Sequence, residues 1–213
     1  MATKTVNQES QIIIPAIKIQ EFDLNIVGDS PLICHAWSEK AKLMMLQKQQ
    51  KKATAGKEVR NPMLEYAESL YWLSEKPDFS TMSEQEIFDA TQTGTFGFPC
   101  LSFKAAAIDG AYQSGAIEKK TTARGAMFIT GEFAVLEGKP NIREDMTRIG
   151  MGTADLRYRA EFKEWRTRLH ITFNSNAISA EQVCNLFSLG GFACGIGDWR
   201  PAKDGTFGRF HVA

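Results

Sequence analysis

Apolar and polar residues alternate most cleanly near the two ends of this chain. Phe22, Leu24 and Ile26 alternate with Asp23, Asn25 and Val27, a period of two that predicts a strand with one buried face. Gly28-Asp29-Ser30-Pro31 ends it. From Trp165 to Asn174 the pattern is stricter. Trp165, Thr167, Leu169, Ile171 and Phe173 point one way, and Arg166, Arg168, His170, Thr172 and Asn174 the other. That second face is either a plain solvent face or a track for phosphates. Further extended stretches are expected from about Ala126 to Leu136, from Ile142 to Ile149 and from Gly205 to Val212. Gln11 to Ile19 carries three consecutive isoleucines, 12–14, and then Pro15, as an edge strand or an arm reaching a neighbour would.

Helix signals fall between these strands. Ser38 reads as the N-cap of a helix to about Lys52, with Leu43 and Leu46 on one side. Asn61-Pro62 opens another, to about Leu73. Ser83 and Glu86 form a capping box for a short third helix. Pro99 precedes an Ala-rich helix whose buried side is expected to hold Phe103, Ala107 and Tyr112, with Gly115 as its stop. Ser179 and Gln182 open a last helix, to Leu189, with Val183, Leu186 and Phe187 inward. The stretches 51–57 and 118–125 read as basic loops, and Gly150-Met151-Gly152 as a break. With the helical insertion 38–95 removed, the order is β-α-β-β-α-β. The expected fold is therefore α+β, a ferredoxin-like arrangement as in RNA-recognition modules, in a single domain over 1–213.

Composition narrows the classes. The chain has 213 residues, 43% of them hydrophobic, enough for one substantial core. Its formal net charge is zero, so an anionic partner must be met by a local patch. The balance is uneven along the chain. Lys40, Lys42, Lys48, Lys51, Lys52, Lys57 and Arg60 face only Glu39 and Glu58, whereas residues 65–89 carry seven acids against Lys76. These are either two solvated faces or a basic grip and an acidic surface for a neighbouring copy. Cys34, Cys100, Cys184 and Cys194 have no C-x-x-C spacing, which argues against a zinc site and fits a reducing cytoplasm. No apolar run has the length of a signal peptide core or a membrane helix, so no membrane partner is expected.

The densest chemistry lies in LFSLGGFACGIGDWRPAKDGTFGRF, residues 186–210. Glycines at 190, 191, 195, 197, 205 and 208 surround Trp199, Arg200, Lys203 and Arg209. Glycines let a backbone approach another molecule, and cations with an indole suit a phosphate chain with bases to stack. A tight helix-to-strand turn ending in a packed Trp is the plainer alternative.

Three stretches together resemble the RAMP superfamily, the RNA-binding proteins that build CRISPR effector complexes. They are IVGDSPLI at 26–33, FPCLSFKAAA at 98–107 and the glycine-rich stretch after the last helix. The resemblance implies a protein that binds single-stranded RNA along its backbone and assembles side by side on it. The chain is also similar to phage-encoded proteins, for which coating or annealing of single-stranded DNA is the alternative. Some RAMP relatives cut RNA with one loop aspartate, which makes Asp29, Asp145 and Asp155 candidates by analogy. No nucleophile–base pair, metal-ligand spacing or cofactor motif stands out, so neither an enzyme nor a cofactor is expected.

The expected function is thus single-stranded nucleic-acid binding, RNA ahead of DNA, with self-assembly. Arg157, Arg159, Arg166, Arg168, Arg200, Lys203 and Arg209 would contact phosphates, and Lys104 and Arg124 would extend the track. Trp199 would stack on bases, worth about 1–3 kcal/mol each. Lys42, Lys48, Lys51 and Lys52 would clamp the strand or reach a neighbour. Tyr158, Trp165 and Trp37 are expected in the core. A self-assembling or inhibitory protein that binds no nucleic acid is the reading from another class.

Overall fold

The computed structural model describes residues 14–50, 60–149 and 152–213. Lys51 and Lys52, expected at the strand clamp, lie outside these, as do the basic loop 51–57 and residues 11–13 of the arm. The described part of the arm, 14–18, forms no strand, and Ile14 and Ile17 are exposed.

The fold is α+β with antiparallel sheets. Its first strand, β1 (Ile19–Gly28), pairs with β9 (Arg166–Asn174) on one side and β10 (Phe210–Val212) on the other. Beyond β9 the sheet continues through β6 (Phe133–Glu137), β4 (Phe96–Pro99) and β3 (Tyr71–Trp72), and β5 (Met127–Ile129) also pairs with β9. Two helices, α4 (Cys100–Gln113) and α6 (Ala180–Ala193), cover one face. Leu24, Ile26, Leu169, Ile171 and Phe173 point into that layer and are buried with Phe103, Val183, Leu186 and Phe187. Full burial of such side chains contributes roughly 1.5–3 kcal/mol each. The opposite face of β1 and β9 is open.

A second sheet is built on a long hairpin. β7 (Pro140–Ile149) pairs along its whole length with β8 (Thr153–Phe162), and β8 also pairs with the short β2 (Leu32–Ile33). Helix α2 (Pro62–Glu68) packs on its base. The Tyr66 hydroxyl donates to Pro140 O at 3.2 Å, and Ala160 N donates to Ser69 Oγ at 2.7 Å. Helix α3 (Glu84–Thr93) opens with the expected capping box and closes a small cluster of Ala67, Phe79 and Ile87. Helix α1 (Glu39–Gln49) has the expected Ser38 cap, yet none of its residues from 41 to 49 is buried.

Several boundaries differ from the sequence reading. α2 stops at Glu68 because Tyr71 and Trp72 pair with β4, where Trp72 meets Phe96 edge-to-face at 4.8 Å between ring centres. Residues 120–126 are a helix, α5 (Lys120–Ala126), not a loop, because Ala123 and Ala126 bury against the core. Tyr112 faces solvent under Lys120, and the buried stripe of α4 runs through Gly110 and Ala111 instead. β8 is a full strand where the sequence reading assigned none.

α6 also runs four residues past Leu189. Gly190 and Gly191 continue its buried stripe, and Gly190 meets Gly110 where α4 and α6 cross. Among the described residues no helix is long and apolar enough to cross a membrane.

Candidate nucleic-acid interface

The outward side chains of β9 lie in one line on the open face. Strand register sets Arg166, Arg168, His170 and Thr172 beside Val27, Asn25, Asp23 and Glu21 on the open face. Arg168 Nε donates to Asn25 Oδ1 at 3.3 Å, and among the described residues neither Arg166 nor Arg168 makes an ion pair. The face is mixed in charge, however. Glu137 pairs in register with Arg166, His170 Nδ1 lies 2.8 Å from Asp23, and His211 Nδ1 lies 2.6 Å from Asp29. The hydrogen bond to Asp23, helped by Glu21, raises the His170 pKa above the ordinary imidazole value, and these two carboxylates balance its charge when it is protonated.

The far end of this line is aromatic. Phe128 of β5 is opposite Thr172 and is 56% exposed. The Lys104 ammonium sits 4.0 Å from the centre of its ring and donates to Arg124 O at 2.9 Å. Burial and the nearby Arg124 charge lower the Lys104 pKa. So Lys104 and Arg124, distant in sequence from β9, join its face through Phe128. From Arg166 to Thr172 the line spans about 20 Å. At the Arg166 end lies an open cleft of about 520 Å³, lined by 27–31, Glu137, Gly138 and 163–166.

The glycine-rich stretch lies beside this cleft, tied to it by Arg209 N donating to Ser30 Oγ at 2.9 Å and Gly208 N to Pro31 O at 2.8 Å. Its glycines face inward rather than toward a ligand. Gly197 sits against Ile33 O, Gly195 against Pro201, and Gly205 against the Trp199 carbonyl. They let the chain fold back on itself and present Trp199, which is exposed at φ +54°. Arg200 turns inward, its Nη1 donating to Gly197 O at 2.9 Å, and the guanidinium Nε of Arg209 is buried. Lys203 is exposed.

The hairpin adds an ion-pair network that the sequence reading did not see. Arg159 is 4% exposed, with one guanidinium nitrogen on Asp198 and another 3.2 Å from Asp145. Arg143 continues the chain to Asp145 at 2.9 Å and Glu161 at 2.7 Å, and lies 4.6 Å over the Phe207 ring. His35 Nδ1 closes it on Asp198 at 2.9 Å. Burial pushes Asp198 up, but His35 and Arg159 together outweigh it and hold the carboxyl below the usual range. Burial and the Asp198 charge push the neighbouring Cys34 thiol well up, so it stays neutral. Burial is also the main cause that pushes the Tyr71 phenol up to about 12.

No family model and no curated protein matches this sequence. The crystal structure of Cmr6 from Pyrococcus furiosus aligns over 93% of this chain and 100% of that chain, at 11% identity and a TM-score of 0.34.

The remaining residues sort by burial and partners. Arg159 is a buried hub, not a surface cation, because two carboxylates draw it inward. Arg157 leans on Asp155 at 3.5 Å, and Asp155 also takes Arg60 at 2.7 Å. Asp29, Asp145 and Asp155 are thus each beside a cation or a histidine. Lys42 and Lys48 lie on α1, away from the β9 line in the chain order. Trp165 is in the core as expected, its indole donating to Ser30 O at 2.9 Å. Trp37 is not: it is 63% exposed, since it precedes α1, which offers no core to enter.

Proposed function

We propose that this protein binds single-stranded nucleic acid without sequence preference along the open face of its main sheet, RNA ahead of DNA. The carrying observation is the β9 line: Arg166 and Arg168 without ion pairs, ending in the exposed Phe128 under Lys104. Two guanidinia on a strand offer phosphate contacts, and an exposed ring offers a base contact. The strand order β10-β1-β9-β5/β6 with α4 and α6 on one face supports the ferredoxin-like reading of this core. The three stretches named above support a place among RAMP-like proteins. Neutral net charge sets the scale, making this a local and salt-sensitive grip. We assign no catalytic step.

The test is fluorescence anisotropy with a short labelled oligoribonucleotide and its DNA counterpart across a salt series. Binding is expected to weaken steeply with salt. Arg166→Ala with Arg168→Ala is expected to make the log–log slope shallower by about 1.4, two phosphates at ~0.7 each for a single strand. An unchanged slope would remove the sheet face from the interface.

Self-association is supported by a separate observation. Leu43, Met44, Met45 and Leu46 are all exposed on α1, covering most of one turn. A helix of that length is marginal alone in water, and one that is apolar round a turn is normally covered. The acidic surface of Glu75, Asp78, Glu84, Glu86 and Asp89 is exposed elsewhere on the chain. A neighbour's acidic surface would meet Lys48 of α1 while the apolar turn packs between the copies, a head-to-tail contact, which gives rings or filaments. Light scattering after nuclease treatment is expected to show particles larger than one subunit, reduced to monomers by Leu43→Glu with Leu46→Glu. A parent that is monomeric under these conditions refutes it.

A further inference from the structure

We infer that Trp37 and Trp199 form a paired nucleobase-stacking site beside the sheet face, set in position by the His35–Asp198 contact. This rests on the single-strand reading above and assigns the part of the ligand that the arginines do not read: the unpaired base.

The four tryptophans divide cleanly. Trp72 and Trp165 donate their indole N–H groups to Ala67 O and Ser30 O, both at 2.9 Å. Trp37 and Trp199 are 63% and 44% exposed, and among the described residues neither indole N–H has a partner. Along 35–37 exposure alternates, with His35 and Trp37 outward and Ala36 half-buried, so both project from one side. His35 Nδ1 is 2.9 Å from Asp198, whose own N–H donates to Ile33 O at 3.1 Å. Trp199 follows directly. A two-residue extended step is about 7 Å. The two indoles therefore emerge on either side of one fixed contact, within reach of the same short oligonucleotide.

Trp199 is also held in an unfavourable conformation. A bulky residue at φ +54° is rare and strained. The surroundings enforce it: Phe207 N donates to Trp199 O at 3.0 Å, and Gly205 lacks the Cβ that would strike that carbonyl. Strain of this kind collects at ligand sites. Here it keeps the indole out of the core. The neighbourhood is charged, with Arg159 and Asp198 beneath and Arg143 over Phe207. Rings set singly among charges suit a base with its phosphates better than an apolar protein surface.

The experiment compares a short single-stranded oligonucleotide with an abasic phosphodiester of equal length, on the full chain. The parent is expected to bind the base-bearing strand at least about tenfold more tightly, at an equal salt slope. Trp37→Ala and Trp199→Gly are each expected to weaken that strand about five- to hundredfold and to leave abasic binding unchanged. Glycine at 199 accepts the positive φ, so the loop fold is kept. Equal binding of both strands by the parent overturns the stacking site while leaving the phosphate reading intact. Loss of both strands to the same degree in the variants also overturns it, since the indoles then only support the loop. No binding of either strand sinks the underlying reading. If Trp37→Ala changes the particle mass as the α1 variant does, with base preference unchanged, Trp37 belongs to a protein contact instead.

Discussion

Arg159→Met is expected to lower the stability of the folded chain by about 3 kcal/mol. The side chain is nearly fully buried, and it joins the hairpin carboxylate Asp145 to the loop carboxylate Asp198. Removing it leaves two partly buried negative charges facing an apolar tip. The cost sits at the low end of the range for such breaks because each carboxylate keeps a second partner: Arg143 for Asp145 and His35 for Asp198. Urea unfolding followed by circular dichroism measures it, and a loss under about 1 kcal/mol would show that the network is not a structural link. Adding Asp198→Asn should recover part of the loss, because the variant's excess charge is then reduced. The effect should also depend on pH. Asp198 is held below the usual carboxylate range, so its contribution is present above the ordinary value and disappears as pH falls through the lowered one. Without Arg159 that depression shrinks. The acid limb of the variant's stability curve is therefore expected at higher pH than the parent's.

The β9 face was legible because period two over nine residues admits one register, and β1 matched it residue for residue. What the strand pattern did not reveal was the company its cations keep. Glu21, Asp23 and Glu137 reach the face from other strands, and only the sheet order brings them there. β8 was missed although Arg157, Arg159 and Glu161 alternate with Tyr158, Ala160 and Phe162. Both faces of β8 are buried at its end, Ala160 and Phe162 in the core and Arg159 and Glu161 in the ion-pair network, so the row of charged positions reads in sequence as surface charge. Trp37 was placed in the core by residue type alone. Its exposure follows from α1 standing away from the main layers, a tertiary fact with no local signature. Asp198 is the member of the site with the least signal of all, a loop acid whose partners lie on β8 and before α1.

The first two glycines of the glycine-rich stretch lie in α6 for a different reason, and they yield the sharpest test. Val183, Leu186, Phe187, Gly190 and Gly191 fall at i, i+3, i+4, i+7 and i+8, one unbroken helical stripe. Read that way, the first two glycines belong to α6 and not to a ligand loop. Their job is close approach. A Cβ on Gly190 would lie 2.5 Å from Ala107 Cα and N, both backbone atoms of α4. Neither helix can yield locally, because each is pinned to the sheet by its buried residues. Gly190→Ala is therefore expected to cost about 3 kcal/mol, although alanine in a helix interior is ordinarily better than glycine by roughly 1 kcal/mol. Gly125 supplies the opposite case. It lies within α5 with nothing inside 4 Å of its would-be Cβ, so Gly125→Ala is expected to stabilise the chain by about 0.5–1 kcal/mol. Thermal and urea unfolding of the pair decide the point. Opposite signs place the first glycines of the stretch in helix packing. A stable Gly190→Ala protein would mean that α4 and α6 do not cross at this contact, and the loop carrying Trp199 would lose the anchor that positions it.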